Sequence, residues 1–436
     1  MTIVSTPFVS IGKAQSKAEG VAGMPLIVID HPFGNRKRAD LGAIAERCCA
    51  QIAETLAKGG EATSLQAETA PTLTDAQTVN PDESAGANRL ELPDDLDEIN
   101  HRFRKERWGD GLPIVPPTRS RVEHMVAASG RAPQDLIGLI PPAFGTATVE
   151  IIAINAVMAG CDPTVMPVLL AAVEALTDAA LNLRALQATT NPVAIWAIVS
   201  GPLADTLGFN SGMNALGEGN WVNNTFGRAL RLILRNVGGA MPGDTDKAQH
   251  GQPGRLSFCC GENQEHSPWT SLREEYGYSA EDSIVTVVGA EGTLNMNTIT
   301  RDPDQLISAF ALSMMHPASN EYIAHGEPWL IVGPEHAAAL QAGGYDKEAF
   351  KRVLWEKSKQ PASQLSEADY QRMCNARKGE FAELGKDTLL PISRTPNDIR
   401  VLVAGGPGTH SVYVPSFGDS TAVSRRIAVA TSQKMP

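Results

Sequence analysis

Apolar residues in this chain fall into short unbroken runs and into helical spacings, and the two kinds alternate. Residues 24–30 (MPLIVID) form a continuous apolar run of strand length, ended by His31, Pro32, Phe33 and Gly34 as a turn. Leu41, Ile44, Ala45, Cys48, Ile52 and Leu56 then recur at helical spacing. That spacing puts Cys48 on the apolar face and Cys49 about 100° away. Residues 59–90 turn to Ala, Thr, Ser, Gln, Pro and acids without periodicity, the composition of a linker. The opening block thus has one clear strand and one clear helix, too little to enclose a core by itself.

Beyond the linker, Pro93, Asp94 and Asp95 open a charged helix that runs to Arg107, and Pro113, Pro116 and Pro117 then force an extended path. Residues 149–160 have almost no polar side and predict a buried helix. Asp162 and Pro163 supply a cap and first position for the next helix, to about Leu176. Residues 194–200 (AIWAIVS) read as a buried strand. Asn223 or Asn224 is suited to cap a helix with the apolar face Phe226, Leu230, Ile233, Leu234 and Val237, stopped by Gly238 and Gly239. Further strands are expected over 256–260 and 283–288. From Trp329 the pattern is strand (329–332), helix from Glu335, helix (347–357), strand (399–404) and strand (410–414).

No internal repeat, coiled coil or transmembrane segment is found. The expected fold class is α/β (mixed α+β). Its expected division is a partial domain (1–58), a linker (59–90), a central site-bearing domain (91–325) and a C-terminal subdomain (326–436).

Composition narrows the functional classes. At 436 residues the chain is long for one core. A net charge of −12 offers no basic face for nucleic acid. With no apolar run long enough to span a bilayer and no basic-then-apolar opening, a cytoplasmic protein is expected, without membrane partners. Six cysteines, four of them in adjacent pairs, predict free thiols. Aromatics at 5% argue against a flavin or base-stacking pocket, and the cofactor stays unknown.

The candidate chemistry lies between Pro141 and Trp269, where small residues and neutral amides replace bulky apolar ones. Glycines admit close approach of backbone or ligand, and amides both donate and accept. Gly217, Gly219, Asn223, Asn224 and Arg228 surround a helix start, where free N–H groups favour an anion and Arg228 can clamp a carboxylate. The alternative is a glycine-rich crossing with an amide cap. Asp244, Asp246, His250, Glu262, Glu265 and His266 form the densest titratable cluster, without a closed metal signature; Glu262 and Glu265 are the favoured acid/base residues. Asn155 either ties its helix to a neighbour or faces the ligand. Cys161, just before a helix start, is a candidate nucleophile. His336, in the first turn of its helix, is a candidate neutral base or a surface residue. Gly405, Gly406, Pro407 and Gly408 could form an anion-binding turn.

Thr6, Pro7, Phe8 and Val9, with Pro25 to Gly34, resemble the closing half of the UGSC family of selenoprotein-like domains. The segments from Asn155 to Pro163, from Gly227 to Ile233 and from Glu262 to Trp269 resemble the larger region linked to it, and Gly333 to Ala337 its closing part. The name-giving motif, selenocysteine or cysteine followed by Gly-Ser-Cys, is absent from this chain. The resemblance therefore implies a large subunit of a heteromeric, oligomeric enzyme whose small partner subunit carries the missing half-domain. The expected function is an oxidoreductase or lyase acting on a small anionic substrate. Glu262 or Glu265 would be acid/base, Arg228 with Asn155, Asn223, Asn224, Gly217 and Gly219 would bind, and Cys161 or the partner's chalcogen would attack. The alternatives are a metal-dependent hydrolase or lyase using Asp244, His250 and Glu262, and a non-catalytic assembly subunit.

Overall fold

The computed structural model describes residues 1–31, 38–57, 89–377, 380 and 385–428. The turn expected at Pro32, Phe33 and Gly34, and the expected linker as far as residue 88, lie outside the described residues.

The opening block holds more than one strand and one helix: β1 (Thr2–Ser5), α1 (Val9–Ala18), β2 (Leu26–Ile29) and α2 (Arg38–Ala57). β1 runs parallel to β2, with Thr2 opposite Leu26 and Ser5 opposite Ile29. A parallel pair needs a crossover, and α1 supplies it. Ile27, Ile44 and Cys48 are its buried apolar cluster, flanked by Ile29 and Ile52, while Ile3, Val21 and Val28 are exposed. Cys48 is buried and Cys49 exposed, as the helical spacing predicts.

The main body begins with α3 (Leu96–Lys105), capped where the Asp95 side chain accepts from Glu98 N at 2.9 Å. α4 (Arg119–Ser129), the hairpin β3 (Leu136–Ile140) and β4 (Gly145–Thr148), α5 (Val149–Ala159), α6 (Met166–Leu176) and α7 (Leu183–Ala188) follow. α5 ends on Gly160 in the left-handed conformation, and the Asp162 carboxylate accepts from Thr164 N just before α6. β5 (Ala194–Ser200), α8 (Pro202–Leu207), α9 (Trp221–Asn236), β6 (Cys259–Gly261), α10 (Leu272–Glu275), β7 (Ile284–Ala290) and β8 (Leu294–Asn297) complete the first half. The second half has α11 (Pro303–Met314), α12 (Asn320–Ala324), β9 (Trp329–Val332), α13 (Pro334–Ala342), α14 (Lys347–Lys357) and α15 (Glu367–Ala376). A short pair, β10 (Gln360–Pro361) and β11 (Leu389–Leu390), brackets α15. The chain closes with β12 (Arg400–Val403), β13 (His410–Val414) and β14 (Val423–Arg426).

Two four-stranded sheets, ordered β14-β7-β5-β6 and β12-β9-β13-β8, pack face to face between helices. The period-2 rule explains the layering. In β5, Trp196 and Ile198 point to the other sheet, whereas Ala197 and Val199 point to α5, α6 and α9. In β9, Trp329 and Ile331 face the first sheet, and Leu330 and Val332 face α11, α13 and α14. Trp196 meets Trp329 edge-on across the gap, with ring centroids 5.5 Å apart, and stacks on Phe258. The architecture is mixed α+β in four layers, helix, sheet, sheet, helix.

The two sheets share a repeat of topology that the sequence does not show as an internal repeat. In each sheet a central strand (β5 or β9) pairs in parallel with one neighbour (β6 or β12) and antiparallel with the other (β7 or β13). The fourth strand is exchanged: β8 follows β7 but joins the second sheet, and β14 follows β13 but joins the first. The expected division at 325/326 thus separates two sheets that each lend the other a strand. Little of this is legible in sequence, because its clearest echo is one Gly-Pro step after each central strand, Gly201-Pro202 and Gly333-Pro334. A Cβ at Gly201 would collide with the Asp282 carbonyl, and one at Gly333 with the His410 carbonyl.

Candidate functional site

Backbone hydrogen bonds draw the carboxyl ends of β6 and β12 to one place. Glu262 N donates to Val199 O (3.0 Å), Asn263 N to Val403 O (2.8 Å), Gly261 N to Asn210 O (2.9 Å) and Gly405 N to Ser211 O (2.8 Å). Carboxyl ends of parallel strands are where α/β sheets hold ligands. Glu262 is 3% exposed there. Its Oε1 accepts from Leu272 N at 2.8 Å. The carboxyl and the Ser200 hydroxyl face one another, yet neither Glu262 Oε2 nor Ser200 Oγ completes a hydrogen bond of good geometry. Burial pushes the Glu262 carboxyl above its ordinary value, opposed by the Leu272 N–H, Ser200 and the Lys347 ammonium. Glu262 is therefore a buried carboxyl with an unused oxygen, suited to hold and deliver a proton. Glu265 is exposed.

The structure turns three of the six sequence-predicted binding residues inward, Arg228, Asn223 and Asn155. Arg228 grips Asp110 in bidentate fashion, Nε at 2.7 Å and Nη2 at 3.0 Å, and Nη2 also donates to Pro113 O at 2.8 Å. The Asn223 side chain accepts from Asn210 N (2.9 Å) and donates to Asn210 O (2.9 Å) and Ala215 O (3.0 Å), pinning the loop before α9. Asn155 donates to Ile151 O and accepts from Asn236, which ties α5 to α9. Asn224 is half-buried in the first turn of α9. The cap of α9 is Asn220, not Asn223 or Asn224, so the helix starts at Trp221. Gly217 lies against the Asn214 side chain, and Gly219 is exposed with φ +83°.

Cys161 is buried, donates to Thr225 O at 3.3 Å, and is pushed up to about 12 by burial. A thiol so held is protonated at neutral pH, against the reading of a helix-activated nucleophile. Cys259 and Cys260 alternate to opposite faces of β6, as their spacing predicts, and burial raises both. β6 is shorter than the expected 256–260 because Pro253 starts a 3-10 turn over Pro253–Arg255. His336 is buried rather than at the surface, with Nδ1 at 2.8 Å from Ser411 Oγ and Nε2 at 3.1 Å from Thr298 O, and burial lowers its basicity. Asp246 is held by Arg231 and Arg255, and His250 is exposed. Among the described residues, no three His, Cys, Asp or Glu side chains come together as a metal-holding group.

Sequence reasoning missed a further acid pair, the buried Glu321 and the half-buried Glu291. Glu321 accepts from Ser416 N (3.0 Å) and from the Tyr413 hydroxyl, and burial pushes it up to about 8. Glu291, beside Asn320, is pushed by burial up to about 7. The lone apolar neighbours of these acids in sequence give no sign that tertiary packing covers them. Because the folded chain keeps protons that the unfolded chain releases, this stability is complete below the unfolded value of 4.5 and is lost as pH rises through 7 and 8. Urea midpoints are expected to fall over that range, and Glu321→Gln to flatten the fall.

The block built from β1, α1, β2 and α2 has a relative. Residues 1–58 match the model of the UGSC family. The match spans the UGSC-like block alone and leaves the two-sheet body outside it. No curated protein and no solved structure matches the chain. Among the described residues, no helix is long and apolar enough to cross a membrane.

Proposed function

We propose that the chain is the larger subunit of a heteromeric enzyme that acts on a small anionic organic molecule by redox or lyase chemistry. Glu262 supplies and takes the proton. The reactive thiol or selenol comes from a second polypeptide, bearing the Cys/Sec-Gly-Ser-Cys motif, that extends the β1–β2 sheet. The observation that carries this reading is the two-stranded parallel sheet itself. Parallel sheets are ordinarily covered on both faces and built from more strands, and a sheet with two strands and three buried apolar side chains among the described residues is marginal. A partner strand would also cover Ile3 and Val28, which are exposed. The protonated, buried state of Cys161, Cys259 and Cys260 supports a nucleophile from elsewhere.

The test is capture of that partner by the tagged chain and by its Ile3→Asp variant. The reading expects capture to be lost in the variant while the melting of the main body is unchanged. The inward-turned Arg228, Asn155 and Asn223 favour one other reading, a non-catalytic assembly subunit. That reading expects Glu262→Gln to leave the turnover of the complex intact.

A further inference from the structure

The arginines of α9 form a stripe at helical spacing, and their carboxylate partners run out before the stripe ends. Arg228 has Asp110, and Arg231 has Asp246. Arg235, one turn further, has no carboxylate: Nη2 reaches only the Arg107 carbonyl at 3.4 Å, and Nε is buried without a partner. Its guanidinium instead faces a like charge, Arg107, whose own Nη2 reaches only Pro242 O at 3.4 Å; Asp110 and Asp246, already paired with Arg228 and Arg231, act on Arg235 only from beyond ion-pair distance. Arg104, exposed on the last turn of α3, makes no ion pair among the described residues. These three arginines line one cavity of about 250 Å³, with Phe103, Leu112 and Ile114 as its apolar wall.

Arg104 and Arg107 are exposed and Arg235 half-buried, so water reaches the first two, but three like charges round one cavity repel one another until an anion enters. A second cost is accepted at Arg107. Arg107 sits at φ +59°, in the cap where Trp108 N bonds Phe103 O at 3.0 Å, a position that favours glycine. Retaining an arginine there strains the backbone and gains only its side chain. The surroundings oppose anions as well, since the chain carries a net charge of −12. A local cationic pocket on such a protein is built against the field of the whole molecule.

We infer that this cavity is a binding site for a small organic oxyanion, a carboxylate or phosphate held by Arg104, Arg107 and Arg235 with its apolar part against Phe103, Leu112 and Ile114. The guanidiniums present planar donors that fit either group bidentately. The volume admits a ligand of metabolite size rather than a dinucleotide. The site lies about 18 Å along α9 from Asn223, at the end remote from Glu262. It does not rest on the proposed function.

Isothermal titration of the full chain with inorganic phosphate, with succinate and with chloride tests the assignment. Saturable binding of phosphate or succinate, absent with chloride, is expected, and the arm that binds tells a phosphorylated from a carboxylate ligand. Arg235→Gln and Arg107→Gly are each expected to weaken it at least about ten-fold. Arg107→Gly, which relieves the left-handed backbone, is expected to melt no lower than the parent, so its loss of binding is not loss of fold. If Arg235→Gln does not fold, Arg104→Gln, at an exposed position, replaces it with the same expectation. No saturable binding by either oxyanion, or equal binding in the arginine variants, overturns the inference.

Discussion

Asp246→Ala is expected to destabilise the chain by about 3–5 kcal/mol, read as a fall in the urea midpoint. Asp246 is 4% exposed and accepts from Arg231, 13% exposed, and Arg255, 12% exposed. It also accepts from Ala248 N at 3.2 Å, so one carboxylate joins α9, the following loop and the turn before β6. Burial pushes Arg231 down to about 10, and the neighbouring Arg255 charge adds to that push. Removing the carboxylate leaves two buried guanidiniums repelling each other. Much of the loss should return when Arg231→Met and Arg255→Met are added, because well-packed apolar side chains replace buried ion pairs at little cost. A loss of less than about 1 kcal/mol would mean that water reaches both arginines.

Glu262→Gln is expected to lower the turnover of the native complex by about 10²–10⁴-fold, the span typical of a lost general acid or base. The fold should survive, since glutamine keeps the acceptor that Leu272 N needs at 2.8 Å and is neutral, like the protonated acid. Two readings separate chemistry from structure. Infrared difference spectra of parent and variant should show the loss of one protonated-carboxyl band at neutral pH. Stability should also diverge in one direction. Because burial raises Glu262, the parent has its full stability below the unfolded carboxyl value and loses part of it as pH rises through the folded one. The glutamine variant is therefore expected to match the parent in acid and exceed it in base. Turnover retained within a factor of about two would favour the assembly-subunit reading.

The sheets and their flanking helices are largely legible in the sequence where apolar patterning is strong. β5, β9, β13 and α14 have the bounds that their patterns predict, because seven-residue runs such as AIWAIVS bury both faces of a strand. β1 and α1 escape notice because the strand has four residues and the helix VSIGKAQSKA has little net apolar face. The exchange of β8 and β14 is invisible for another reason: strand pairing across more than a hundred residues leaves no local trace.

The site divides in the same way. The density of amides and glycines before α9 correctly signals tight backbone packing, but Asn223 and Asn155 serve that packing by holding loop and helix to their neighbours. Spacing alone cannot tell an amide that binds backbone from one that awaits a ligand. Arg228 and Arg235 are both arginines on one face of α9, and only the fold reveals that Asp110 pairs with the first while no carboxylate among the described residues comes within ion-pair distance of the second. Glu262 is legible as an acid in a polar run, whereas its burial at the junction of two sheets is not.

Native mass spectrometry of the chain captured by a tag from its own cells tests the central claim most directly. The account predicts a stoichiometric complex with a smaller polypeptide that contains selenocysteine or cysteine followed by Gly-Ser-Cys. A mass equal to the chain alone, or to whole-number multiples of it, would contradict it.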